Sequence, residues 1–312
     1  MAGAPLSISI VIPTLNAGRA FGTVLHRIMG QGRAPLEIVC ADSGSTDGTR
    51  HIVSQFPCAR FVEVAEPVGP RSWNRAMEAA KGDVVVFLAQ DALPGNGEWL
   101  SHLTTPFDDV SVGGVYSRQE VSIDGDPLTG FRLAQRFCAE PHRRRIRVGD
   151  AIAYKSLPFF IDNAAVRRSV WRGIHFNEHL PVGADRVWAR QVVLASYTVT
   201  YAPDAVVTRD VQASLKAAYR LAVVTGYTDQ HYGDQGGTLW PDSRHFVKRA
   251  SWYLLTGLAW GRLPYLAIED VVQRYGYRLG RRLDRMSPQL RGRFAPETAV
   301  DTRHSEIDDL AA

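Results

Sequence analysis

The sequence predicts an α/β fold, a doubly wound, mostly parallel sheet with a C-terminal helical extension. Three observations predict it. Apolar strand runs alternate with helical periods through the first hundred residues, the pattern of strands joined by crossover helices. Three of those strands end in polar groups, and parallel sheets bind ligands at the carboxyl ends of their strands. Beyond Val211 the spacing turns helical and stays so to about Arg285.

Ser7–Ile12 reads as a strand running into Pro13-Thr14-Leu15-Asn16, and Ala20–Met29 as a helix with Phe21, Leu25, Ile28 and Met29 on one side. Leu36–Ala41 is a second strand, ending at Asp42-Ser43. Thr46-Asp47-Gly48 reads as a turn and cap that opens a helix carrying Ile52, Val53 and Phe56. Phe61–Val64 is a short third strand, Ser72–Ala80 a helix, and Val84–Ala89 the fourth strand. Asp91 follows that strand, whose apolar interior has no structural use for a charge at its tip. In the middle, Gly113–Tyr116 and Tyr197–Tyr201 read as strands, the second closed by Ala202-Pro203-Asp204. Pro127–Phe137, Ala165–Trp171 and Ala184–Leu194 read as helices. The basic run Arg143–Arg147 falls in a loop, either a solvated turn or a grip on an anionic acceptor. Between Tyr265 and Leu283, Ile268, Val271, Val272, Tyr275, Leu279 and Leu283 recur at helical spacing, with Arg274, Arg278, Arg281, Arg282 and Arg285 on the other faces. Such a basic amphipathic helix either lies on an anionic membrane surface or packs on the domain with a solvated arginine face. The polar tail from Ala295 is expected to be disordered.

At 312 residues, 45% hydrophobic and 22% charged, the chain can bury a substantial core. A net charge of +4 suits a phosphorylated substrate or an anionic membrane surface, and no nucleic-acid recognition motif accompanies it. Cys40, Cys58 and Cys138 are odd in number and widely spaced, as expected of unpaired thiols in a reducing cytosol. No signal-peptide pattern is visible. Trp252–Ile268, the nearest approach to a spanning segment, is broken by Arg262 and Pro264.

The polar strand ends suit a sugar-nucleotide site. Asp42 can accept from a pyrimidine N–H or a ribose hydroxyl, with Thr14, Asn16 and Ser43 beside it, while Asp91 can offer oxygen to Mg²⁺ or Mn²⁺ at the diphosphate. Transfer then needs one general base for the acceptor hydroxyl. A dehydrogenase would want a GxGxxG turn after the first strand, and a nucleotidyltransferase a glycine-rich basic loop; Pro13-Thr14-Leu15-Asn16-Ala17-Gly18 supplies neither.

Ile10–Gly18, Glu37–Thr49 and Phe87-Leu88-Ala89-Gln90-Asp91-Ala92-Leu93-Pro94 resemble the nucleotide-binding half of family 2 glycosyltransferases with the GT-A fold, in their bacterial rhamnosyltransferase-like branch. Arg167–Trp171, Phe176-Asn177-Glu178 and Gly183–Arg190 are similar to its acceptor-side motifs. The resemblance spans roughly residues 7 to 215. It implies Asp185 as catalytic base, Asp91 as the metal-site carboxylate, and Asp42 on the nucleotide base, with further donor contacts from Pro13, Thr14, Asn16, Ser43, Arg71, Asn74, Gln90 and Arg209. The implied reaction is inverting transfer of a sugar, such as rhamnose, from a nucleoside-diphosphate donor to a glycan or lipid-linked acceptor. A single displacement needs one base, unlike the carboxylate pair of glycoside hydrolysis.

The implied organisation is a GT-A domain over 1–215, with a nucleotide-binding half to about 118 and an acceptor half beyond it. A helical extension over 216–290 and a tail over 291–312 follow. The expected setting is cytoplasmic, with peripheral contact at the inner face of the cell membrane. Four departures stand out: Ala89 at the usual first acid of the metal motif, Trp73 before Asn74, Ala184 before Asp185, and Arg209 where a histidine often follows the late strand. Arg209, with Arg71 or Arg75, could neutralise the diphosphate and weaken the need for metal. A degenerate transferase, kept as a nucleotide-sugar-binding or membrane-complex scaffold, is the alternative reading.

Overall fold

The computed structural model describes residues 5–137, 145–148, 157–180, 182–209, 214–232 and 243–285. These residues divide into two compact units. The first is drawn from Met1–Asp124, Leu133–Glu178 and Ala184–Val211, the second from Gly125–Arg132, His179–Gly183 and Gln212–Ala312.

The first unit holds one sheet. Its strands are β1 (Ile8–Thr14), β2 (Glu37–Asp42), β3 (Ala59–Glu63), β4 (Val84–Leu88), β5 (Ala92–Pro94), β6 (Val112–Glu120), β7 (Arg145–Ile146), β8 (Asn163–Arg167) and β9 (Thr198–Arg209). Their order is β3-β2-β1-β4-β8-β6-β9-β5, with β7 paired to β9. Strands β1, β2, β3, β4, β6 and β9 share one direction and β5, β7 and β8 oppose it. The period of two along each strand splits its side chains between two cores. Ile10 and Ile12 of β1 and Val84, Val86 and Leu88 of β4 enter one core, which also takes in Phe21, Val24, Leu25 and Ile28 of helix α1 (Phe21–Met29). Val11, Val85 and Phe87 enter the other, with Ala76 and Met77 of helix α3 (Pro70–Ala79). The short helix α2 (Thr49–Val53) packs on the α1 side, with Val53 in the same core as Phe21 and Leu25. Helices on both faces are what doubly wound means physically, and the expectation holds.

Two local expectations change. Met29, placed on the inner side of α1, is exposed, and Val24 is buried instead, because the stripe follows i, i+3, i+4, i+7 from Phe21. Ala165–Trp171 is not one helix. Asn163–Arg167 is strand β8, pairing antiparallel to both β4 and β6, with Ala165 opposite Val86 and Val115. Small, alanine-rich residues read as helical by propensity, yet the gap between two buried strands overrides it. The helix begins only at Arg168. Strand β9 also continues through Pro203 to Arg209, because a register shift between Ser117 and Gln119 of β6 absorbs the proline.

Helices α4 (Trp99–Thr104), α5 (Pro127–Arg136), α6 (Arg168–Gly173) and α7 (Ala184–Leu194) follow among the described residues before Val211. In the second unit, α8 (Leu215–Tyr232), α9 (Ser243–Thr256) and α10 (Leu263–Gly280) are helical as the spacing predicts. Helix α10 seats differently from its apolar stripe: Leu266, Glu269, Gly276 and Gly280 are buried, whereas Ile268, Val271 and Tyr275 are exposed. A Cβ at Gly280 would overlap the Val223 carbonyl of α8, and one at Gly226 would overlap the Tyr277 carbonyl. The two helices therefore meet backbone to backbone, which only glycine permits.

Candidate active site

Loops after β1 and β2 are stitched together by their own polar side chains. Thr14 Oγ1 donates to Asp42 Oδ1 at 2.9 Å, the N–H of Asn16 donates to Ser45 Oγ at 2.8 Å, and Asn16 Oδ1 accepts from the N–H of Thr46 at 2.9 Å. Asp47 accepts from Thr49 and from the N–H of Gly18; bonds from the Thr49 side chain foremost hold its carboxyl below the usual range. That is the capping role expected for it. Asp42 is buried and also accepts from the N–H groups of Gly44 (3.1 Å) and Ser45 (2.7 Å). Gly44 makes this turn possible at φ +94°. The Asp42 carboxylate is thus engaged in holding the loop. Ser43 Oγ, by contrast, is buried with no hydrogen-bond partner among the described residues.

A cleft of about 310 Å³ opens at the carboxyl ends of β1, β4 and β9 and the start of β8. Pro13, Leu15, Val68, Trp73, Phe87 and Ile161 form its apolar walls, and Gln90, Asp91, Asp162 and Arg209 its polar end. Gln90 accepts from the N–H of Leu15 at 2.9 Å and donates to its carbonyl at 3.3 Å, which clamps the β1 loop to the β4 loop.

Arg209 is the centre of the polar end. Its Nη2 donates to both Asp91 oxygens at 2.8 and 3.1 Å, and its Nε to Oδ1 at 3.1 Å. Nη1 donates to Asp162 Oδ2 at 2.8 Å and to the buried Gln119 Oε1 at 3.3 Å. Burial opposes the arginine's charge, but Asp162 and Asp91 outweigh it and push its pKa up. A guanidinium fork in this position matches carboxylate or phosphate oxygens in pairs.

With Arg209 so paired, Asp91 gives both of its oxygens to the guanidinium and Asp162 gives one, so the paired arrangement does not present the several free oxygens a hard cation wants. Among the described residues no group of three or more His, Cys, Asp or Glu side chains could hold a metal.

Asp185 opens α7 and accepts from the N–H of Arg186 at 2.9 Å and of Ile161 at 3.3 Å. Ile161 lines the cleft, so the carboxylate stands one residue behind its wall. Burial raises the Asp185 carboxyl to about 6, with Arg186 opposing and Asp162 adding to the rise. A carboxyl at that value is suited to taking a proton near neutral pH.

Two expected contacts lie elsewhere. Asn74 is buried: Nδ2 donates to the Phe176 carbonyl and Glu178, and Oδ1 accepts from Trp171 Nε1 and the N–H of Phe176. All of its capacity is spent on fixing the 171–178 segment to α3. Arg71 lies 3.7 Å from Glu178 and does not line the cleft. Of the basic run, Arg145 bonds Asp109 at 2.9 Å; Arg143 and Arg144 lie outside the described residues. Asp162 and Gln119 were not legible as site residues. The signal for Asp162 was its place just before β8, masked by the helical reading of that segment.

A family model described as glycosyl transferase family 2 matches residues 9–173. The chain is 26% identical over 291 residues to the O-antigen chain rhamnosyltransferase RfbN of Salmonella typhimurium, covering 88% of this chain and 90% of the relative. It is 28% identical over 294 residues to WbaN of Salmonella anatum, which carries the same description, with 88% and 89% covered. Among solved structures, the mannosyltransferase PcManGT of Pyrobaculum calidifontis, in complex with GDP-Man and Mn²⁺, superposes with a TM-score of 0.54 at 22% identity, over 88% of this chain and 84% of that one.

Proposed function

The chain belongs to glycosyl transferase family 2, and from that premise we propose that it performs inverting transfer of rhamnose, or a related sugar, from a nucleoside-diphosphate donor to a hydroxyl of a growing surface glycan or its lipid-linked precursor. The observation that carries this reading is the pairing of one fixed cation with one raised carboxyl at one cleft: Arg209 at its polar end and Asp185 behind its Ile161 wall. The two rhamnosyltransferase relatives, matched over most of their length, support the sugar and the polymer class.

In this reading the nucleoside packs against the β1 and β2 loops. Asp42 acts by holding the β2 loop. The diphosphate takes the place at Arg209 that Asp91 and Asp162 share in the free chain, so charge is neutralised at the departing oxygens as the bond to the anomeric carbon breaks. The acceptor oxygen attacks from the opposite side and gives its proton to Asp185. Mn²⁺ accompanies the donor in the solved mannosyltransferase; here the guanidinium supplies most of that charge, and metal adds little. The setting is the cytoplasmic side of the cell membrane, where nucleotide sugars are made.

The test is transfer from dTDP-, UDP- and GDP-sugars to a lipid-linked oligosaccharide acceptor, with mass spectrometry reading the product and the anomeric NMR coupling its configuration. Transfer from at least one donor with inversion at the anomeric carbon is expected. Retention of configuration would overturn the single displacement, and donor binding without transfer from any of them would favour the scaffold reading.

A further inference from the structure

The second unit carries a surface that the transfer reading leaves unused. Helix α9 packs inward through Ala250 and Leu254, which join Leu128, Phe131 and Leu266 in one buried cluster. Its other face reads Lys248, Arg249, Trp252, Leu255, all exposed, at the spacing of one helical stripe. The turn that follows adds Leu258, 80% exposed, and Trp260, 60% exposed, whose indole N–H donates to the Leu255 carbonyl and so folds the ring against the end of α9. Helix α10 repeats the order in reverse. Ile268 and Val271 are exposed near the turn, and Arg278 and Arg282 are exposed at the far end.

Both helices are apolar beside the turn, where Arg262 is taken up by Asp126 at 2.8 Å, and basic away from it. Lys248 and Arg249 form no ion pair among the described residues, so their charge is offered outward. At 1.5 Å per residue the stripe from Lys248 to Leu255 runs about 10 Å, which matches the depth of about 5–10 Å to which interfacial apolar groups enter the headgroup and acyl boundary. Exposed tryptophan, leucine and isoleucine on one turn are a poor surface for water, whereas tryptophan favours the membrane interface. Lysine and arginine favour anionic headgroups.

We propose that the turn joining α9 and α10 is a membrane anchor: Trp252, Leu255, Leu258 and Trp260 enter the interface of an anionic bilayer, and Lys248 and Arg249 lie at the phosphates, with Arg278 and Arg282 adding a more distant attraction to the anionic surface. This differs from a basic helix lying flat, because the insertion point is the turn. It differs also from a spanning segment, since no described helix is long and apolar enough to cross a membrane. None of these residues lines the cleft, so the anchor can fail while the transfer reading stands.

The full chain tests this by flotation with vesicles of phosphatidylglycerol and phosphatidylcholine against phosphatidylcholine alone. Binding to the anionic vesicles that falls with rising salt is expected. The triple variant Trp252→Ser, Leu258→Ser, Trp260→Ser should weaken it at least about tenfold, and so should the double variant Lys248→Glu, Arg249→Glu. Thermal melting of the double variant should match the parent, and that of the triple variant should fall only by what the Trp260–Leu255 hydrogen bond contributes. Lipids brominated at shallow acyl positions should quench tryptophan fluorescence in the parent and not in the triple variant. Absence of flotation with anionic vesicles, equal flotation of the triple variant, or a parent dimer that the triple variant converts to monomer would each overturn the anchor.

Discussion

In the proposed transfer, Asp185 and Arg209 divide the chemistry between a group that must lose its charge easily and one that must keep it. Burial moves the Asp185 carboxyl from an ordinary value near 3.8 to about 6. The fold therefore favours the protonated form, and stability falls as pH rises through that interval and the group ionises. Two outcomes follow with opposite signs. Transfer should decline as pH drops through about 6, because the base must be ionised to accept a proton. Asp185→Asn should lower the transfer rate about 10²–10⁴-fold while leaving nucleotide binding intact and the melting temperature at pH 8 unchanged or higher. Unchanged turnover removes Asp185 from the mechanism. For Arg209, titration calorimetry with the donor nucleotide is the measurement. Arg209→Ala should weaken binding by at least about tenfold, with partial recovery in Arg209→Lys, since a bidentate contact becomes a single one. EDTA should change the parent's affinity little; complete loss with chelator, restored by Mn²⁺, would return Asp91 to a metal. Asp91 was legible as a strand-end residue, and Arg209 from its place in the family's motif order. Their mutual ion pair was not, because it is the pairing of β5, which follows Asp91, with β9 that brings them together, between residues far apart in the chain.

At the scale of elements, two joints bear the organisation. Asn74 ties α3 to the 171–178 segment through four hydrogen bonds to Phe176, Glu178 and Trp171. Asn74→Ala leaves several buried partners unsatisfied and should cost about 2–4 kcal/mol, read from urea denaturation, without the specific loss of donor affinity that a binding residue would show. In the second unit, the α8 and α10 backbones meet at Gly226 and Gly280. Gly280→Val should destabilise that unit by about 1–3 kcal/mol or more, seen as earlier loss of helical circular dichroism. The helical periods of α8 to α10 were legible from sequence. The seating of α10 was not, because its most apolar stripe faces outward and its glycines face in. An apolar stripe names a face that prefers to leave water, not the surface that covers it.

For the molecule as a whole, donor binding and folding are linked. A nucleotide sugar held at a hundred times its dissociation constant should stabilise the chain by about 2.7 kcal/mol, so thermal shift across dTDP-, UDP- and GDP-sugars ranks the donors directly; equal shifts for all three would place recognition on the diphosphate alone. The sequence by itself determined the family and the sheet wound on both faces, and it named Asp91, Asp185 and Arg209 as candidates, because strand ends and motif order are local features that survive without coordinates. Only the tertiary structure decided what those residues touch. It closed Asp91 onto Arg209, brought in Asp162 and Gln119, spent Asn74 and Asp42 on the scaffold, and turned Trp252, Leu258 and Trp260 toward solvent. The physical reason is shared: hydrogen-bond capacity and burial are properties of three-dimensional neighbours, and the same side chain is a ligand or a rivet according to which of them reaches it first.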